Sequence, residues 1–311
     1  MTTQAIAGRE RVRHAAPVEQ RERRDNRTAW GFLAPFLVLY LAFIIGPTVY
    51  AFILSLFNGS LVRAGLGSWA GFGNYAEALS SPDFWSSLWH TIYFTILTTP
   101  PLVILAFVFA LLADRAVRGR WFFRFAFFVP YVLPSAVMSL IWIWIYTPAL
   151  GLAQGWLGAI GIKAPVWLGD PTWAMPSVAI ATIWWTIGFN FILYLAGLQD
   201  IPRELYEAAS IDGAGPWQQI RRITIPLLGR TTTLVTVLQV IASLKIFDQI
   251  YIMTSGGPNF STRPSLEYIY DQSFTNLRIG YGAAVSMLLF LVILAVSFVW
   301  LAIVRRQEAG V

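Results

Sequence analysis

Few residues in this chain have chemistry to offer. There are two lysines, Lys163 and Lys245, two histidines, His14 and His90, and no cysteine. No glycine-rich loop ends in Lys-Ser or Lys-Thr, so nothing here would cradle a nucleotide's phosphates. Two histidines with no cysteine and no nearby carboxylate pair make no metal site, and no Ser-His-Asp set has a placed base. The chain is therefore expected to have no catalytic residue, no metal and no cofactor of its own. What remains is recognition. Lys245 and Asp248 stand three apart in an otherwise apolar segment, a spacing that puts both on one helical face where they can pair. The same face, with Gln239 and Ser243, could instead line a polar cavity for hydroxyl-rich ligands. Upstream, Trp184-Trp185-Thr186-Ile187-Gly188-Phe189-Asn190 sets one amide among aromatic faces. An aromatic plane beside an amide suits a ring with a flat C–H face and a rim of hydroxyls, so Trp184 and Asn190 join the pathway candidates. His90 reads as interfacial.

The segments that carry these residues are apolar and long. Of 311 residues 57% are hydrophobic, 15% aromatic and 12% charged, with mean hydropathy +0.60. A soluble domain carries about 25% charge, so a water-soluble protein is excluded. A nucleic-acid binder is excluded as well, because the net charge of +6 sits in discrete clusters. Six spans are expected, at 30–56, 88–112, 122–146, 174–197, 231–253 and 282–304. Each is long enough to cross ~30 Å of hydrocarbon as a helix, the form that satisfies its own backbone in lipid. Only Arg124, Lys245 and Asp248 are charged residues within them. Arg124, near a span end, can snorkel. The second span holds Pro100 and Pro101, and a kink there is tolerable if neighbouring helices cover the freed carbonyls. The fold class is all-α, a polytopic membrane protein.

Seventeen basic residues, counting Arg124 at its span end, fall in the compartments before span one, between spans two and three, between four and five, and after six; four fall in the others. The positive-inside rule then places both termini in the cytoplasm. Residues 1–29, with seven arginines and no apolar period, read as a disordered cytoplasmic tail; 30–304 is the transmembrane domain, and 305–311 a second short tail. The first apolar run is too long, and too far from the start, for a signal peptide.

The connector between spans four and five has more structure than a turn needs. Pro202 suits a first helical turn, and Glu204 and Glu207 follow where acids favour a helix N-terminus. Leu205, Ala208, Ala209 and Asp212 keep one face small, and Gly213 can take the positive φ that ends a helix. Pro216 starts a second helix with Ile220 and Ile223 on its apolar face, and Pro226 is expected to end it. A helix–glycine turn–helix over 202–226 results.

This pattern resembles the EAA loop of binding-protein-dependent ABC importer permeases: Glu-Ala-Ala, three residues, Gly, nine residues, Ile-x-Leu-Pro. Here it reads Glu207-Ala208-Ala209, Gly213 and Ile223-Thr224-Ile225-Pro226, with Ile225 in place of leucine. A second stretch, Thr254-Ser255-Gly256-Gly257-Pro258-Asn259-Phe260-Ser261-Thr262, is similar to the Thr-x-Gly-Gly-Pro-x-x-x-Thr signature of the permeases for oligosaccharides, polyols and glycerol phosphates. Phe128-Val129-Pro130-Tyr131 with Pro134 matches the same carbohydrate uptake group. The likeness runs from residue 30 onward. It implies a type I ABC importer permease in the cytoplasmic membrane of a bacterium or archaeon. The implied partners are a second homologous permease (in a hetero-dimer), two ATPase subunits that hold ATP and Mg, and an extracytoplasmic substrate-binding protein docking on the outer loops 57–87 and 147–172. Glu207, Ala208, Ala209, Asp212, Gly213, Ile223 and Pro226 would couple to the ATPase. The implied cargo is a sugar or a related polyol or glycerol phosphate.

Two other classes share the hydropathy. A secondary transporter or channel for small polar solutes would have no use for such a hairpin and usually shows internal repeats. A membrane enzyme acting on lipid-linked sugars should show an acidic pair or metal site at a membrane face, and none is found.

Overall fold

The computed structural model describes residues 30–63, 65–115 and 120–309. The tail 1–29 lies outside them, as do the last two residues of the tail 305–311. The chain divides into two units, residues 1–53 and 54–311.

The described residues of the first unit form the greater part of one helix, α1 (Trp30–Ser55), exposed along nearly its whole length. It opens into a π turn at Leu41–Ile45, with the Gly46 N–H reaching back to Leu41 O. Pro47 follows at once. Proline has no N–H to donate and its ring crowds the carbonyl four residues back, so one widened turn lets the helix pass it unbroken.

The second unit is built from α2 (Gly73–Ser80), α3 (Pro82–Arg115), α4 (Arg120–Val132), α5 (Ser135–Tyr146), α6 (Leu152–Ala159), α7 (Pro171–Gln199), α8 (Arg203–Ile211), α9 (Pro216–Leu227), α10 (Gly229–Leu244), α11 (Asp248–Met253), α12 (Ser265–Tyr270) and α13 (Ile279–Ala309). No strand occurs among the described residues; the one β-bridge joins Phe57 and Trp69. The fold is all-α and polytopic. Among the described residues, four helices are long and apolar enough to cross a membrane by themselves: Trp30–Ser55, Pro82–Asp114, Pro171–Gln199 and Ile279–Ala302. Two bent pairs complete six if each counts as one span: Arg124–Val132 with Ser135–Tyr146, at 103°, and Pro216–Leu227 with Gly229–Leu244, at 62°.

Three expectations are corrected here. The stretch 122–146 is not a single rod, because Pro134 removes a helical N–H and drives Leu133 out of the helical region. The stretch 231–253 ends its long helix at Leu244 and restarts at Asp248, with Phe247 at φ −147°, ψ −64° between. Pro226 does not end the second hairpin helix: a π turn at Ile220–Thr224 widens the backbone ahead of it, as at Pro47, and the helix runs on to Leu227. By contrast α3 continues through Pro100 and Pro101.

In lipid, apolar burial alone gains little, since acyl chains are as apolar as leucine; close packing and hydrogen bonds must hold the helices together. On α3, Ala106, Ala110 and Ala113 are small enough for α7 to approach, and they bury against Ile187, Phe191, Tyr194, Leu195 and Leu198, with Leu228 and Val235 closing the cluster. At Gly188 the backbone of α4 comes so near that a Cβ would collide with Phe127 O. A second cluster joins Phe94, Met138, Tyr146, Met175, Val178, Ile250 and Met253, from α3, α5, α7 and α11, with Ile246 from the link between α10 and α11.

Candidate functional site

The two breaks meet. Ser135, the first residue after the Pro134 break, donates through Oγ to Asp248 Oδ2 at 3.2 Å; Asp248 is the first residue after the break that follows α10. The carbonyl of Leu133, freed where α4 ends, accepts from the Trp185 indole N–H on α7 at 3.1 Å. The first break thus frees a backbone carbonyl that a continuous helix would hide, and a side chain from a neighbouring span satisfies it.

Between these elements lies a cavity of about 320 Å³. Tyr131 from the end of α4, Trp185, Thr186 and Phe189 from α7, and Gln239, Ser243, Lys245, Asp248 and Gln249 from α10 and α11 are among its lining residues. Tyr131 stacks on Phe189 with ring centroids 5.3 Å apart and leans toward Trp185 at 6.2 Å. The wall thus combines aromatic planes with amide, hydroxyl and charged groups. Such a surface can stack on an apolar ring face while offering hydrogen bonds to its rim.

The candidate residues are sorted by this geometry. Gln239, Ser243, Lys245 and Asp248 all line the cavity. Lys245 and Asp248 do not share a helical face as an ion pair: Lys245 caps the end of α10, the chain reorients through Ile246 and Phe247, and Asp248 bonds Ser135 instead. No ion pair to Lys245 occurs among the described residues. Ser243 Oγ lies 2.9 Å from Thr95 Oγ1 and from Val240 O, so much of its capacity goes to joining α10 to α3. Asn190 (1% exposed) is not on the lining; its Nδ2 donates to Gln239 Oε1 at 3.2 Å and its Oδ1 is buried without a partner. Trp184 turns away into an apolar groove with Trp142, Trp156 and Trp167. Trp185, one residue on and about 100° around the helix, faces the cavity. Tyr131, Trp185, Thr186 and Phe189 were missed in the sequence. The helical period puts Trp185, Thr186 and Phe189 within one arc of about 100°, but it does not say which arc faces inward.

Away from the cavity, the hairpin has the turn read from its glycine. Gly213 takes φ +80°. Its N–H donates to Ser210 O at 3.1 Å and the Ala214 N–H to Ala209 O at 2.8 Å, the paired bonds of a Schellman ending. Gln219 Nε2 crosses to Ser210 Oγ at 2.8 Å, Tyr206 Oη lies 3.0 Å from Thr224 Oγ1, and Gln218 Oε1 accepts from the Gly215 N–H at 3.0 Å. Glu207, Ala208 and Asp212 are exposed, Ala209 and Ile223 half-buried, and Pro226 exposed. Ile211 is 88% and Trp217 71% exposed, one on each arm of the tip.

The Thr254–Thr262 stretch closes on itself through its two threonines. Thr254 Oγ1 and Thr262 Oγ1 lie 2.8 Å apart, and the Thr262 N–H donates to Gly256 O at 3.1 Å. None of its residues lines the cavity.

Known proteins share both the sequence and this architecture. Residues 106–308 match the family described as binding-protein-dependent transport system inner membrane component. The chain is 33% identical to the sulfoquinovosyl glycerol transport system permease protein SmoG of Agrobacterium fabrum, over 91% of this chain and 92% of that one. It is 33% identical to the trehalose/maltose transport system permease protein MalF of Thermococcus litoralis, over 92% and 96% of the two chains. In three dimensions it superposes on a chain of a bacterial ABC transporter involved in import of the acidic polysaccharide alginate, with TM-score 0.79 at 22% identity, over 93% of this chain and 99% of that one. The chain therefore belongs to the inner membrane components of binding-protein-dependent transport systems, as a multi-pass permease subunit of an ABC importer.

Proposed function

We propose that this permease carries a sugar, an oligosaccharide, or a related polyol or glycerol phosphate across the cytoplasmic membrane of a bacterium or archaeon, with both termini in the cytoplasm. It works as half of a hetero-dimer with a second homologous permease. Two partner ATPase subunits bind ATP and Mg and hydrolyse the nucleotide, and this chain contributes no hydrolytic site. An extracytoplasmic binding protein delivers the cargo to the outer loops. Closure of the ATPase pair on ATP pulls the 202–226 hairpin, the permeases rock from inward- to outward-facing, and hydrolysis resets them. Relatives named for sulfoquinovosyl glycerol and for trehalose and maltose support a glycoside as the cargo. The cavity supports it too, with Tyr131, Trp185 and Phe189 as stacking faces and Gln239, Lys245 and Asp248 as hydrogen-bonding groups.

The observation that carries the coupling role is the hairpin tip. Ile211 and Trp217 stand exposed on either side of a turn rigidly closed by its own hydrogen bonds, which is a surface made for a partner. Apart from Gly213 itself and its two chain neighbours, nothing lies within 4 Å of where its Cβ would sit, so a substitution there acts through the backbone. Forcing a β-branched residue into that left-handed conformation costs about 1–2 kcal/mol. Gly213→Val should leave the complex inserted and assembled but abolish uptake and substrate-stimulated ATP hydrolysis in proteoliposomes. Undiminished uptake in that variant, or wild-type uptake driven by an ion gradient without ATP, would remove the coupling assignment.

A further inference from the structure

The loop from 254 to 278, after the fifth span, carries buried charge of its own. Arg263 is 7% exposed. Its guanidinium lies 3.4 Å from Asp83 in the first turn of α3 and 3.9 Å from Asp271 just past α12. The same group sits over two rings, 4.1 Å from the centre of Phe260 and 5.1 Å from that of Tyr268. Its carbonyl oxygen is 3.1 Å from His90 Nδ1 on α3; a carbonyl can only accept, so that nitrogen carries the proton. Two residues on, the Ser265 N–H donates to Thr91 Oγ1 at 2.9 Å. Arg263 and Ser265 of the loop are thus both held by α3.

Glu267 lies one turn beyond Arg263 and is 3% exposed. Its Oε2 is buried with no hydrogen-bond partner, and it makes no ion pair with the arginine. Its Oε1 packs under the Gly256 backbone, where a Cβ would come within 3.0 Å. Gly256, at φ +71°, begins the Gly256-Gly257-Pro258 turn, and that turn follows directly on α11, whose first residue is the cavity-lining Asp248. Burial first, and the neighbouring Asp271 second, push the Glu267 carboxyl up to about 7, while Arg263 pulls the other way. Asp271 is raised as well, mainly by burial. The charged or titratable groups facing this pocket are Asp83 and His90 from α3, Arg263 and Asp271 from the loop, Tyr251 from α11, Tyr268 from α12, and Tyr281 from α13, which meets the Tyr268 hydroxyl at 2.9 Å.

We propose that Arg263 and Glu267 form a proton-sensitive latch that holds the Gly-Gly-Pro loop, and through it α11, against α3. With Glu267 neutral, the guanidinium is shared between Asp83 and Asp271 and the loop is docked. When Glu267 ionises, a carboxylate one turn from Arg263 competes for that guanidinium and draws it away from α3, and the loop loosens. The sign follows from linkage. The docked loop holds the Glu267 proton more tightly than a released loop, where an ordinary glutamate titrates near 4.5. Docking is therefore strongest in acid, weakens as pH rises through the interval from about 4.5 to about 7, and is flat above it.

The test is hydrogen exchange on peptides covering 254–278 in the purified full-length chain, at about pH 6 and about pH 8, corrected for intrinsic exchange. In the wild type the loop should exchange roughly tenfold faster or more at the higher pH, since one unit of pKa is a factor of ten. Glu267→Gln, which mimics the neutral acid, should exchange slowly at both. The proposal is overturned if the wild type shows no pH difference or if Glu267→Gln keeps it. Should that variant not fold, infrared spectroscopy of the wild type decides: a buried protonated carboxyl present at the lower pH and titrating near neutrality is required, and its absence sinks the latch. Neither readout depends on cargo or coupling, so failure here leaves the transport reading standing, and the converse.

Discussion

The hairpin at 202–227 and the wall of the cavity are built on opposite plans. Every bond that shapes the hairpin tip joins residues within 20 positions of one another: Gly213 to Ser210, Ala214 to Ala209, Gln219 to Ser210, Tyr206 to Thr224. Its apolar residues Ile211 and Trp217 face outward. In the wall the ties span long stretches of chain: Trp185 to Leu133, Ser135 to Asp248, Asn190 to Gln239, Ser243 to Thr95. The hairpin shapes itself and offers its surface to another body, whereas the wall has no shape until four spans have assembled. A mutation in the first should leave this chain intact and spoil what it does to a partner. A mutation in the second should be felt as stability.

The contrast is open to attack, first at Gly188. An added methyl would run into the Phe127 backbone, which no side-chain rotation relieves. Gly188→Ala should cost about 1–3 kcal/mol or more and lower the melting temperature of the detergent-purified protein by several degrees. Gly213→Val, at about 1–2 kcal/mol of local backbone strain, should lower that temperature less than Gly188→Ala does while uptake is lost; an equal loss of stability in both would dissolve the distinction. Asn190→Ala comes next. It removes the amide that Gln239 Oε1 accepts from, and within a membrane such a bond is worth about 0.6–2 kcal/mol. A double-mutant cycle with Gln239→Ala should recover a coupling of that size, and additive singles would mean the two spans are not joined there. The smallest effect is expected at the bidentate pair of Arg278 with Glu77, at 2.7 and 2.8 Å. Both side chains are about half exposed, so Glu77→Gln should shift stability by under about 1 kcal/mol despite the good geometry.

The same contrast explains what could be read ahead of the structure. The hairpin was legible because its cause is local. Proline at 202 and 216 and glycine at 213 restrict φ wherever they occur, and they produced the elements that their spacing implied, Pro226 excepted. There the missing information was the π turn, which accommodates a proline without ending the helix and has no residue type of its own. In the cavity the residue types were legible and their facing was not. Trp184 and Trp185 are chemically equivalent; only the packing of α7 against α4 and α10 decides which one meets the cavity. Lys245 and Asp248 have the spacing of a helical pair, but the chain breaks between them, with Ser135 from another span taking the carboxylate.

What the sequence alone determined is the solvent and the local grammar. Long stretches with almost no charge must be helical in lipid because the backbone has no other partner there, and the glycine and prolines of the hairpin set its turn through their own torsional limits. The tertiary structure alone decided where spans break, which side of α7 faces inward, and that Glu267, an ordinary acid in a polar loop by sequence, is sealed under a glycine turn beside Arg263. Those outcomes depend on contacts such as Trp185 with Leu133, 52 residues apart, and the Arg263 loop with His90, 173 residues apart, and burial, close contact and electrostatic environment are properties of such neighbours rather than of the residue itself.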